Sequence, residues 1–294
     1  MAIKKTAKDY VFYTVVYFVM FIAFAITLYP IIYVLSMSIS SPEYVYRLEV
    51  FLFPKGFSLG SYRYLFEQGT IFQYYGNTIL YTVCGTVLSM ILTVMAGYVM
   101  AQKNFSGQKV IMMFFMVSMF FSGGMIPSFL LVRNLGMYDT RWAMIIPGAI
   151  GTYYIILART FFMSLPPSLF EAARIDGAND LQVLRRLVLP LSMPIISVLI
   201  LYYAVGKWNS YFNALLYVPS KKYQPLQLYL VNLLVEDSAN VSEAIGSDEL
   251  NQRGMTMLQL KYTSIIISIF PIMCVYPFLQ KYFVKGIMIG AVKE

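Results

Sequence analysis

The chain has 294 residues, enough for one or two soluble domains, but 59% of it is apolar, 12% is charged and mean hydropathy is +0.66. That composition excludes an ordinary soluble globular protein and indicates a membrane protein. The formal charge of +8 suits membrane topology and anionic lipid headgroups; no basic patch interleaved with aromatics marks a nucleic-acid partner.

Charge-free stretches run from Tyr10 to Pro42, Gln68 to Gln102, Val110 to Val132, Trp142 to Ala158, Leu187 to Gly206 and Tyr262 to Gln280. Each is near or above the roughly 20 residues with which a helix crosses the hydrocarbon. The sequence therefore predicts an all-α, polytopic protein with six transmembrane helices, at 13–37, 74–100, 110–132, 141–163, 190–217 and 258–281. Residues 1–9 form a short N-terminal segment, 10–285 the transmembrane domain and 286–294 a tail. Lys4, Lys5 and Lys8 precede the first stretch like the charged start of a signal peptide. That stretch is too long for one and lacks a small-residue cleavage site, so it is expected to stay as an anchor.

The loop from Ser40 to Phe72, with Pro42, Pro54, Gly56 and Gly60 among its aromatics, is expected to pack as an irregular cap. The third span carries Gly123, Gly124 and Pro127, and the fourth Pro147, Gly148 and Gly151. Close helix packing through small residues accounts for them more simply than a gating hinge. The fourth span runs past Arg159 to Met163, with the arginine snorkelling to the lipid boundary.

Between the fourth and fifth spans, residues 164–190 include PSLFEAARIDGANDLQVLRRLVLP from Pro167 to Pro190. Ser168 and Glu171 have capping-box spacing, so a helix is expected to start at Ser168. Gly177 is its natural left-handed terminator, and Asn179 with Gln182 repeats the start signal. Two short helices meeting at a bend follow, with Leu189-Pro190 ending the second. Ala172 and Ala173 leave a flank that another protein can approach, and Arg174, Arg185 and Arg186 supply cationic donors. This is the expected docking element; an amphipathic connector lying on headgroups is the plainer alternative.

The fifth span holds Lys207-Trp208-Asn209-Ser210-Tyr211-Phe212-Asn213. The amides of Asn209 and Asn213 can bond hydroxyls, and Trp208 and Tyr211 offer flat apolar faces, a combination that suits sugars. An interfacial belt with Lys207 snorkelling beside it is the equal alternative. Residues 219–256 form the longest polar loop, large enough to reach another protein, and Gly286 and Gly290 make a GxxxG after the last span.

Six spans put both termini on one side with the 164–190 loop. That side carries twelve of the Lys and Arg residues in short segments against nine in longer loops opposite, so it is expected to be cytoplasmic. No Asp or Glu lies mid-span and no His occurs anywhere. A proton relay, a carboxylate ion pathway, a metal centre and nucleophilic catalysis all lack their groups. Cys84 and Cys274 both fall in spans, which disfavours a disulfide, and no phosphate-binding GxxxxGK[ST] is present.

Glu171-Ala172-Ala173, then Gly177, then Leu187-Val188-Leu189-Pro190 resembles the EAA loop of the membrane subunits of bacterial binding-protein-dependent ABC importers. Asp176-Gly177-Ala178, Trp208-Asn209, Pro225-Leu226-Gln227-Leu228 and the ending from Tyr276 to Gly286 are similar to the carbohydrate branch that includes the smaller membrane subunit of the maltose importer, in a subgroup for oligosaccharides. The resemblance implies a type I importer permease fold and a non-enzymatic subunit paired with a second homologous permease subunit. Two ATPase subunits would use ATP and Mg, none of it bound by this chain. An extracellular solute-binding protein would deliver the oligosaccharide.

In that family the EAA helix is a coupling helix seated in a cleft of the ATPase. The positions carried over are Glu171, Ala172, Ala173, Arg174, Asp176, Gly177, Leu189 and Pro190. The tail, with Gly286, Gly290 and Lys293, would reach the ATPase pair, and 219–256 would meet the binding protein. The expected location is the bacterial cytoplasmic membrane, with both termini cytoplasmic. The rivals are an importer of peptides or another polar solute, and an ion-coupled secondary transporter, which the missing intramembrane carboxylates disfavour.

Overall fold

A computed structural model of the chain describes residues 7–67, 69–102, 105–233, 258–274 and 277, which form helices joined by turns, with no strand among them. The chain divides into two compact units, Met1–Thr70 with Asn232–Phe270, and Ile71–Val231 with Pro271–Glu294.

In the first unit, α1 (Ala7–Ser38) is apolar on all sides and contains Pro30. Its C-terminal end carries the expected cap, which includes two helices, α2 (Pro42–Tyr46) and α3 (Gly60–Glu67). Ser36 Oγ donates to the Leu52 carbonyl at 2.7 Å, and the backbone N–H groups of Ser41 and Ser58 reach the carbonyls of Lys55 and Ile39. The fully buried Gln259 holds this cap to the last helix, Leu258–Cys274. Its Nε2 donates to the Ser38 and Ser40 carbonyls, while its Oε1 accepts from Ser61 Oγ at 2.7 Å. An amide with every group satisfied is stable in an apolar core.

The second unit is built on α4 (Thr70–Ala101), whose buried residues include Thr78, Gly85, Ser89, Thr93 and Gly97. Small residues at seven- and four-residue spacing make a stripe that lets other helices approach closely. A Cβ at Gly97 would lie 2.9 Å from that of Ala158 on α8 (Thr152–Met163), and one at Gly85 would lie 3.0 Å from the Lys207 side chain on α12 (Met193–Trp208). Two apolar clusters flank the stripe. One joins Tyr81, Met144, Tyr217 and Leu228; the other joins Val94, Phe162, Val183, Val188 and Leu199.

Two helices, Lys8–Ser38 and Thr70–Ala101, are long and apolar enough to cross a membrane among the described residues, and up to four cross if each of two bent pairs is one span. The bent pairs correct the expectation of continuous third and fifth helices. The third breaks between α5 (Gln108–Phe120) and α6 (Met125–Asn134) with a bend of 114°. Gly124 there has φ +86°, and a Cβ on Gly123 would touch nothing within 4 Å. The fourth is also interrupted: α7 (Trp142–Ile145) ends at a turn through Pro147 and Gly148 (φ +70°) before α8 begins. Gly123, Gly124 and Gly148 therefore serve backbone breaks rather than the close packing expected of them. The fifth bends by 85° between Leu191 and Met193 and stops at Trp208, before α13 (Phe212–Tyr217). The sixth expected span continues beyond the described residues.

Candidate coupling site

Residues 164–192 form a bent element between α8 and α12. Its first helix, α9 (Pro167–Ile175), starts one residue earlier than the sequence indicates. Pro167 takes the first helical position, where a missing N–H costs nothing. Ser168 therefore lies inside the first turn, and the Ser168–Glu171 capping box does not form.

The end of α9 is as expected. Gly177 has φ +75°. Its N–H donates to the Arg174 carbonyl at 3.0 Å, and that of Ala178 to the Ala173 carbonyl at 2.9 Å. This pair of bonds is the Schellman closure, which satisfies the last carbonyls of a helix and turns the chain. Asn179 then caps α10 (Asp180–Val183): its Oδ1 accepts from Gln182 N at 2.9 Å, and Gln182 Oε1 accepts from Asn179 N at 3.0 Å.

Past α10 the helix continues through a π-helical turn, Leu184–Val188, and a last turn, α11 (Leu189–Leu191). Contrary to the sequence expectation, Leu189-Pro190 does not end this piece; the break falls at Ser192. The wider π turn precedes Pro190, where the proline ring would otherwise press on the carbonyl four residues back.

Two contacts tie the element to the rest of the unit, and a third, from α8 to α4, braces the helix that leads into it. Phe170, Ala173, Ala178, Leu187 and Leu189 pack on the cluster of Phe162, Val183, Leu184 and Val188. Tyr98 Oη lies 3.5 Å from Asp180 Oδ1, linking the end of α4 to the start of α10. Arg159 Nε donates to the Met100 carbonyl at 2.9 Å, so this arginine caps α4 instead of snorkelling to lipid.

The opposite face of α9 is open. Glu171, Ala172, Arg174 and Asp176 are exposed, and Ile175 is 86% exposed. Leu181, on α10, is 72% exposed. Beside α9 lies a cleft of about 540 Å³ whose lining includes Tyr98, Phe105, Phe170, Glu171, Arg174 and Asp180. Six of the eight expected coupling residues thus lie on or next to one short, exposed elbow. Leu189 is turned partly into the core, and Pro190 lies on the following turn. Ile175 and Leu181 were not singled out in the sequence, although Ile175 lies one helical turn beyond Glu171, on the same face.

The expected passage residues do not gather in one place. Trp208 ends α12, buried, with its ring 6.2 Å from that of Tyr75 in an edge contact. Asn209 caps that helix and accepts from Gln227 Nε2 at 3.5 Å. Tyr211 is exposed beside Phe212, and Asn213 is half-buried in α13. Lys207 does not snorkel: its Nζ donates to the carbonyls of Met144, Ile145 and Pro147, each at 3.2 Å. Gly286, Gly290 and Lys293 lie outside the described residues, as does most of the 219–256 loop.

Residues 93–289, which contain this whole element, match the family described as the binding-protein-dependent transport system inner membrane component. The chain belongs to this family. It is 39% identical over 271 residues to Protein LplC of Bacillus subtilis (strain 168), covering 92% of this chain and 90% of that one. It is 36% identical over 290 residues to the polygalacturonan/rhamnogalacturonan transport system permease protein YtcP of the same organism, covering 97% and 99%. Its fold matches a crystal structure of a bacterial ABC transporter involved in the import of the acidic polysaccharide alginate. That match has a TM-score of 0.84 and 35% identity, and covers 96% of this chain and all of the other. The permease is therefore a multi-pass membrane transport subunit and not an enzyme, and ATP use belongs to a separate ATPase subunit.

Proposed function

We propose that this permease imports an oligosaccharide delivered by an extracellular binding protein. Relatives named for polygalacturonan/rhamnogalacturonan and for arabinooligosaccharides support that substrate class. In this reading the chain pairs with a second permease subunit and two ATPase subunits in a bacterial cytoplasmic membrane. It crosses the membrane six times, with both termini and the α9 elbow cytoplasmic.

The observation that carries the coupling role is the elbow itself. One face of α9 is fixed to the core, the Gly177 turn is locked by two backbone bonds, and the other face offers Glu171, Ala172, Arg174 and Ile175 to a partner. Seated in an ATPase cleft, such an element moves when the ATPase dimer closes. Its attachments to α4 and α12 carry that displacement into the membrane, so that the passage opens alternately to each side. Force is transmitted because the docked contact persists in both states and only the helix arrangement differs. Asn209 and Tyr211 remain exposed where a sugar could meet them, and the tail with Gly286, Gly290 and Lys293 is assigned to the ATPase pair.

The test is ATP-driven uptake of labelled oligosaccharide by the reconstituted importer. Glu171→Lys, which reverses a charge on the docking face without touching the core, is expected to abolish uptake while membrane insertion is retained. Normal uptake by this variant would contradict the assignment.

A further inference from the structure

Tyrosines gather where α8 meets α12. The Tyr154 and Tyr202 rings are stacked, with centroids 5.8 Å and planes 22° apart, and Tyr153 sets its ring edge-on to Tyr154 at 5.7 Å. Beneath them the buried Tyr203 meets Tyr154 edge-on at 4.6 Å and shares a 2.6 Å hydrogen bond with Thr93 on α4. A Cβ on Gly151 would lie 2.7 Å from the Tyr154 ring, so the glycine lets that ring close over the start of α8. The rings therefore stand on a fixed base.

Their outer side is open and polar. Tyr153 and Tyr202 are exposed and Tyr154 is half-buried, and no hydrogen bond among the described residues uses the hydroxyl of any of the three. Next to Tyr153, the Thr152 hydroxyl lies 3.2 Å from that of Ser118 on α5, an exposed pair with acceptor capacity to spare. At 1.5 Å per residue, Tyr153 stands about 15 Å from the elbow end of α8 and Tyr202 about 14 Å from that of α12. Both levels fall near the middle of a hydrocarbon layer roughly 30 Å thick. Lipid-facing tyrosines collect at the membrane surfaces, where the hydroxyl reaches water, and helices that pack closely in lipid meet through small residues. Three free phenols at mid-depth fit neither setting.

We propose that Tyr153, Tyr154 and Tyr202 form this subunit's sugar-contacting surface in the passage. The apolar face of a sugar ring stacks on the exposed rings, and its hydroxyls bond the phenols and the Ser118–Thr152 pair. This deepens the oligosaccharide reading given under Proposed function and rests on it. It also moves the contact from the Trp208–Asn213 segment, whose side chains diverge, to the middle of α8 and α12. No charged side chain belongs to the cluster, so it reads ring shape and hydroxyls, and neutral and acidic oligosaccharides are both accommodated.

The experiment uses the complete importer in proteoliposomes with its binding protein. It follows uptake of labelled oligomers of galacturonic acid and of arabinose, sugars for which relatives are named, beside ATP hydrolysis. Tyr153→Leu and Tyr202→Leu keep apolar bulk but remove a ring; uptake per ATP hydrolysed should fall about fivefold to tenfold, with hydrolysis stimulated by the loaded binding protein retained. Tyr202→Phe, which removes only the hydroxyl, should lose about threefold. In a background without Cys84 and Cys274, Tyr202→Cys should react with a charged methanethiosulfonate, because the thiolate forms only where water reaches, and imported sugar should slow that reaction. Leucine variants with wild-type uptake per ATP, or an unreactive Tyr202→Cys, would overturn the surface while leaving the importer reading intact. A wild-type importer that takes up neither sugar would overturn the oligosaccharide reading and the surface with it.

Discussion

Gly177 carries the bend of the elbow with φ +75°, a conformation that costs an L-residue with a side chain about 1–2 kcal/mol and that proline cannot adopt at all. Gly177→Ala is expected to lower uptake partially, and Gly177→Pro to abolish it with insertion intact, as measured by transport per inserted molecule. Lys207 presents a different case. Its three carbonyl contacts close the buried C-terminal end of α7, and its stem lies against Gly85. Lys207→Met keeps the stem but leaves those carbonyls unpaired, at a cost on the order of 1–3 kcal/mol. The thermal unfolding midpoint in detergent should fall, and an unchanged midpoint would remove the tether. At this scale the turn chemistry was legible, because Gly177 and the Asn179–Gln182 pair depend on local geometry alone. Ser168 misled because Pro167 had already claimed the helix start. Lys207 misled because its acceptors are about sixty residues away in the chain.

Among the elements, α4 sets the packing of its unit, and Gly97 is the glycine of α4 where an added Cβ would come nearest another helix. Gly97→Val would place a branched side chain where even a Cβ lies 2.9 Å from Ala158. It should separate α4 from α8 and lower the yield of folded protein on size-exclusion chromatography, whereas the same change at Gly76, with nothing within 4 Å, should leave it near wild type. The apolar stretches were readable from composition, since the bilayer demands length and apolarity whatever the tertiary fold. Their internal breaks were not. Glycine and proline can loosen a helix or let one approach another, and only the contacts around Gly123, Gly124 and Gly148 decide between these. The continuation through Pro190 was hidden as well, because a π turn leaves no simple sequence period.

At the scale of the whole molecule, the chain transmits work done elsewhere. Its family resemblance was legible in one 24-residue segment, Pro167 to Pro190, which lies within the 93–289 stretch that matches the family. The passage was harder to read, because Trp208 turns inward and Asn209 and Tyr211 outward from neighbouring positions, a split that the ordering of polar residues along a span does not reveal. The most direct measurement is photo-crosslinking from a benzophenone attached at Ile175→Cys, in a background where the native cysteines Cys84 and Cys274, both exposed, are replaced. The account predicts crosslinks to a nucleotide-hydrolysing subunit, both with and without ATP, together with loss of uptake. Failure to capture any such subunit, or labelling of Ile175→Cys in intact cells by a membrane-impermeant thiol reagent, would contradict it.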